Sequence, residues 1–171
     1  MKHHIQFNIT LLLFFSVFSS FGATITWNGS GSDQKWNTAT NWIGGIIPGN
    51  SDDVIVPAGS NVIVDATPSS AVNSLFVQGT LTINSSVSLS VTQSTATTAY
   101  VFQIGGGIVS NNGTITVTGM VGTNPGLSFV SGTATNGLLT NTGTLTVNTS
   151  AGTGACVNFN QTTGGIATLN M

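Results

Sequence analysis

The sequence contains no glutamate and no arginine, and beyond Lys2 its only lysine is Lys35. Nucleic acid is excluded as a partner, because phosphate contacts and their counterion release need several basic side chains. The same scarcity argues against attraction to anionic membranes. Histidine is confined to His3 and His4, at the extreme amino terminus, so the commonest general base is missing from everything downstream. Cys156 stands alone, so no internal disulfide can form; a small buried hydrophobe is the first expectation, an exposed thiol able to pair between chains the second. No stretch shows helical periodicity, and glycine recurs too often for a helix to persist.

What the chain does have begins with an address. Met1-Lys2-His3-His4 leads into an apolar run centred on Leu11-Leu12-Leu13-Phe14-Phe15 and then into small residues at Ser19-Ser20. A basic start, a short apolar run and small residues at the cleavage point make residues 1–22 a signal peptide, with Ser20 and Gly22 at the small-residue positions. The run is too short to cross a bilayer, so a secreted or cell-surface protein with no transmembrane segment in its mature chain is expected. About 149 residues follow, enough for one domain with a real core. Charged residues make up 4% of the chain, yet β-branched and aromatic residues are abundant, the reverse of a disordered composition.

Residues 23–69 form a distinct block, read as a tryptophan-rich cap and first coil. Trp27, Trp36 and Trp42 all fall here, with Asp33, Lys35, Asp52 and Asp53. Thr24-Ile25-Thr26-Trp27 alternates with the two-residue period of a half-buried strand, and Val54-Ile55-Val56 and Asn61-Val62-Ile63-Val64 read as two more. The run Trp27-Asn28-Gly29, Trp36-Asn37, Asn41-Trp42, Gly44-Gly45, Pro48 and Asp52-Asp53-Val54-Ile55-Val56-Pro57 resembles the opening of large secreted bacterial repeat proteins of the Bacteroidota type. The resemblance implies an N-terminal cap leading into a right-handed parallel β-helix of the adhesin or pectate-lyase-like kind. Such proteins commonly carry a C-terminal sorting domain, and this sequence shows none.

From residue 70 to residue 171 the chain repeats. Gly79-Thr80-Leu81-Thr82-Ile83 returns as Gly113-Thr114-Ile115-Thr116-Val117 and as Gly143-Thr144-Leu145-Thr146-Val147, 34 and then 30 residues on. A second alignment runs Tyr100-Val101-Phe102, Gly107-Ile108-Val109, Gly113-Thr114-Ile115, then Leu127-Ser128-Phe129, Gly137-Leu138-Leu139, Gly143-Thr144-Leu145, then Val157-Asn158-Phe159, Gly165-Ile166-Ala167. Three short strands per unit of about 30 residues predict an all-β right-handed parallel β-helix, a solenoid whose coils stack. Phe102, Phe129 and Phe159 should stack inside it, and Asn111 and Asn141 should hydrogen-bond from coil to coil. The final unit reads as incomplete. The alternative is an antiparallel β-sandwich, since Asn112-Gly113 and Asn136-Gly137 are also hairpin signals.

Candidate chemistry is sparse. Asp33, Asp52, Asp53 and Asp65 are the only carboxylates, and glycoside hydrolysis needs two flanking one bond. Asp52 and Asp53 are weak calcium candidates, because adjacent acids with loop carbonyls can supply oxygen ligands; otherwise no metal, cofactor or catalytic residue is expected. Thr80, Thr82, Thr114, Thr116, Thr144 and Thr146 would form an outward ladder, of the kind seen on ice-binding solenoids or on any soluble β-surface. The tryptophans could stack on sugars if exposed, but burial is the stronger expectation. The sequence therefore reads as a non-enzymatic, adhesin-like structural module whose partners are glycans or cell-surface components. The alternatives are a carbohydrate-binding module, a polysaccharide-active enzyme fragment and an ice-binding protein.

Overall fold

The computed structural model describes residues 22–119, 121–130, 137–148, 153–160 and 168–171. Apart from Gly22, the predicted leader lies outside these residues, as do Asn136 of the second hairpin signal and Gly165-Ile166-Ala167 of the repeat alignment. The strands are β1 (Thr24–Thr26), β2 (Asp53–Val56), β3 (Asn61–Val64), β4 (Ser74–Val77), β5 (Thr80–Ile83), β6 (Ser88–Thr92) and β7 (Phe102–Ile104). They continue as β8 (Ile108–Asn111), β9 (Thr114–Thr118), β10 (Leu127–Val130), β11 (Leu138–Asn141), β12 (Thr144–Val147), β13 (Val157–Asn160) and β14 (Thr168–Asn170). The one helical turn among the described residues is a 3-10 turn at Ala39–Asn41.

Three sheets form. One runs β1-β2-β4-β7-β10-β13, the second β14-β11-β8-β5-β3, the third β12-β9-β6. Every strand pair is parallel. Each full coil, such as β4-β5-β6 or β7-β8-β9, gives one strand to each sheet, so the chain is a β-solenoid and the sandwich alternative fails: a sandwich needs antiparallel neighbours. The antiparallel contact among the described residues is an isolated bridge, Trp27 to Trp42.

The core follows from strand alternation. In β5 Leu81 and Ile83 are buried while Thr80 and Thr82 face outward; β9 repeats this with Ile115 and Val117 inward. Within each sheet such side chains stack in register, Leu81 on Val109 and Leu139 in the second and Leu89 on Ile115 and Leu145 in the third, while the Ile83 position continues as Asn111 and Asn141. Asn111 is buried directly beside Asn141, to which its Nδ2 donates at 2.6 Å; the same amide donates to the Thr144 carbonyl and accepts from the Gly113 N–H. The predicted amide stack is present, and it satisfies polar groups that would otherwise be stranded in the core.

Two registers differ from the sequence reading. Phe129 and Phe159 stack with centroids 4.8 Å apart and rings 4° from parallel, yet Phe159 is 50% exposed rather than inside the core, and Phe102 lies in register with Leu127, two positions away from Phe129. The Gly-Thr copies also divide between sheets. Thr80 pairs with Ile108 and Thr82 with Ser110, whereas Thr114 and Thr116 pair with Thr144 and Thr146 and, on the other side, with Ser88 and Ser90. The coil step between β5 and β8 is 28 residues and that between β6 and β9 is 26, so a 34-residue offset advances the chain by one coil and one further face. The first copy is therefore homologous in pattern and different in position.

Residues 24–42 close the end of the stack next to β2 and β3. β1 extends the first sheet at β2, and Lys35 bridges to Ile63 at the edge of the second. Between them Trp42 meets Trp27 and Trp36 edge to face, with centroids 5.0 and 4.9 Å away. Trp36 and Trp42 are fully buried, and the Trp42 Nε1 donates to the Trp36 carbonyl at 2.7 Å. Each such ring removes up to about 250 Å² from water, worth at most about 6 kcal/mol.

Candidate functional site

Every charged side chain beyond Lys2 lies between positions 33 and 65, and each is engaged by neighbouring chain. Asp33 accepts from the Thr38 hydroxyl and the Asn41 amide, both at 2.6 Å, and from the Lys35 N–H at 3.1 Å. The Thr38 bond, followed by the Lys35 N–H, holds its carboxyl below the ordinary carboxylate range. Lys35 pairs with Asp65 at 2.8 Å, a bond that raises the lysine above its usual value.

Asp52 and Asp53, neighbours in sequence, hold different parts of the fold. Asp52 accepts from the Ala23 N–H at 3.0 Å and from the Gly49 N–H at 2.8 Å, tying the start of β1 to a loop. Asp53 is buried and accepts from the Asn73 amide at 2.8 Å and the Ser74 hydroxyl at 2.6 Å. Asn73 in turn bonds Thr97 and the backbone of Thr95 and Ser94, so one buried carboxylate anchors the loop that follows β6. Tyr100, on that loop, packs against Phe76 and has its hydroxyl pKa raised, first by burial and then by the Asp53 charge. Among the described residues no three His, Cys, Asp or Glu side chains gather as metal ligands do.

The hydroxyl surface has a different membership from the one the sequence suggests, losing two threonines and gaining serines that sequence reasoning missed. Thr114, Thr116, Thr144 and Thr146 stand with Ser88 and Ser90 on the three-stranded sheet, extended by Thr92 and Thr118, whose hydroxyls share a 3.1 Å hydrogen bond. Thr80 and Thr82 belong to another face, where Ile108 is an outward neighbour of Thr80 and is 44% exposed. Cys156 is exposed, so the expectation of a buried thiol does not hold; it sits just before β13, where its carbonyl accepts from the Leu127 N–H at 2.9 Å.

A feature absent from the sequence reading is a groove of about 450 Å³ across the corner between the first and second sheets. It arises from turn lengths. Between β2 and β3 the corner takes residues 57–60, between β4 and β5 only residues 78–79, and between β7 and β8 residues 105–107. Residues of all three turns line the depression, and the two-residue middle turn lies between two longer ones. Gly79 permits it, since a Cβ there would lie 2.4 Å from the Pro57 carbonyl oxygen and 2.7 Å from that of Ser60. Asn61, Gln78, Ser60 and Thr80 line the depression with Ile108 at its far side. Asn61 uses one amide hydrogen on the Gln34 side-chain carbonyl at 2.8 Å, which leaves its second hydrogen and its oxygen for other partners.

Comparison with known families finds a match to the G8 domain over residues 41–153. No curated protein matches the chain. Nor does any solved structure.

Proposed function

Because this chain belongs to the G8 domain family, we propose that it is a non-enzymatic structural module of the cell exterior, a short β-solenoid presenting uncharged faces to glycans or neighbouring cells. One observation carries the reading: the carboxylates of Asp33, Asp52, Asp53 and Asp65 are all spent on backbone, amide, hydroxyl or lysine partners that hold coils together. A hydrolase or lyase needs an acid or base poised at substrate, and here each candidate is a structural tie. The leader-like residues 1–22 support an exported address, and the near absence of charge on the outward strands suits contact with neutral surfaces.

The test is fractionation of the full chain expressed behind its own residues 1–22, with protease added to intact cells. Recovery outside the cytoplasm, with loss of the leader, is the expected result; a full-length cytoplasmic product contradicts the proposal. A polysaccharide panel incubated with the purified chain should show no cleavage. Cleavage that disappears in Asp53→Asn would replace the structural reading with an enzymatic one.

A further inference from the structure

We infer that the corner groove between the first and second sheets is a binding site for a short neutral oligosaccharide. The tryptophans, the obvious sugar-stacking candidates in the sequence, are buried against one another and cannot reach a ligand. The groove offers a different chemistry in one place. It is a surface depression of about 450 Å³, open to solvent along its outer side.

Four of its lining side chains, Ser60, Asn61, Gln78 and Thr80, both donate and accept hydrogen bonds. A ligand dense in hydroxyl groups needs that combination, because each hydroxyl is also donor and acceptor. Gln78 is exposed and makes no side-chain hydrogen bond with the described residues, so its amide meets a ligand without first breaking an internal contact. Ile108, 44% exposed, supplies an aliphatic surface for the carbon–hydrogen face of a sugar ring. No charged side chain lines the groove, which disfavours uronates, phosphates and charged peptides. The lining comes from three successive corners of the stack, at residues 59–61, 78–80 and 106–108, so an extended ligand meets several coils at once.

The inference rests on the exterior-module reading for the ligand's availability, but its test is independent of cellular location. Amide NMR spectra of the full chain are recorded during titration with cellohexaose, laminarihexaose, mannohexaose and chitohexaose, with a hexagalacturonate as the charged probe. Saturable shifts at Gly59, Gln78, Gly79, Gly106 and Gly107 with at least one neutral sugar are expected. Gln78→Ala should weaken that binding about 3- to 10-fold, the effect of losing a neutral hydrogen bond, while Thr116→Tyr on the hydroxyl face leaves it unchanged. Ile108→Ser provides a second variant that alters the apolar wall without touching the amides. Silence at the groove with all four neutral sugars, shifts centred on residues 114–118 instead, or preference for the uronate each overturns the inference. A silent groove in a protein that is nevertheless exported would leave the module reading standing, and a cytoplasmic protein with a responsive groove would do the opposite.

Discussion

Residues 24–65 and residues 74–148 belong to one parallel stack, the first giving strands to two of its sheets and the second to all three, and they hold it together by different means. The first region concentrates three tryptophans and every charged side chain beyond Lys2. There, edge-to-face rings fill the end of the stack and carboxylates fasten irregular loops. The second region has no charge; it is held by in-register aliphatic columns, an asparagine pair and outward hydroxyls. The difference shows what a solenoid needs where it starts and where it merely continues. A regular coil is stabilised by its neighbours on both sides. An end coil has one neighbour, so large rings and local side-chain bonds replace the missing half of its packing.

Substitutions should separate the two regimes. Trp42→Ala removes two ring contacts and the bond to the Trp36 carbonyl, and a loss of about 3–5 kcal/mol by urea unfolding is expected. A loss below ~1 kcal/mol would mean that the tryptophan cluster does not secure the end of the stack. Trp36→Phe is milder because its Nε1 is buried with no hydrogen-bond partner; the lost ring area is offset by removing an unsatisfied donor.

In the repeat region, Asn111→Ala strands the Asn141 Oδ1 and the Gly113 N–H, and about 1–3 kcal/mol should be lost. An equal or larger effect for Thr116→Val would invert that expectation, since an outward threonine should change stability by less than ~0.5 kcal/mol.

All four carboxylate side chains lie in the first region, so that is where acid sensitivity is expected. The folded-state pKa of Asp33 is depressed, so its contribution is present above the unfolded carboxylate value near ~3.9 and is lost as pH falls through the lower folded value. Unfolding midpoints measured between pH 5 and pH 2 should fall less steeply in Asp33→Asn than in the parent chain. Identical slopes would assign the acid response elsewhere.

Much of this was legible in the residues. Alternation of apolar and polar positions gave the strands, the recurrence of three strands per unit gave parallel stacking, and Asn111 and Asn141 announced their contact by equivalent positions in two copies. Register was harder. The Gly-Thr pentapeptide is a local solution, glycine for a corner and alternating threonine for an outward face, and any corner can use it; its first copy therefore sits one face away from the others. Phe102 misled for a related reason, because Leu127 fills the same inward column and hydrophobicity alone does not distinguish the two. The groove could not be read at all from motifs. It depends on the difference between three turn lengths, and those became countable only once the strands on either side were fixed.

Register fixes which residues share a face, and disulfide trapping tests it directly. In a Cys156→Ser background, cysteines at positions 116 and 146 occupy paired sites on adjacent parallel strands, about 4.7–4.9 Å apart and within disulfide reach. Cysteines at positions 82 and 116 lie in different sheets. Rapid oxidation of the 116–146 pair with none of the 82–116 pair is the predicted result. Efficient cross-linking of 82 to 116 would contradict the coil register on which the fold, the divided hydroxyl faces and the corner groove all depend.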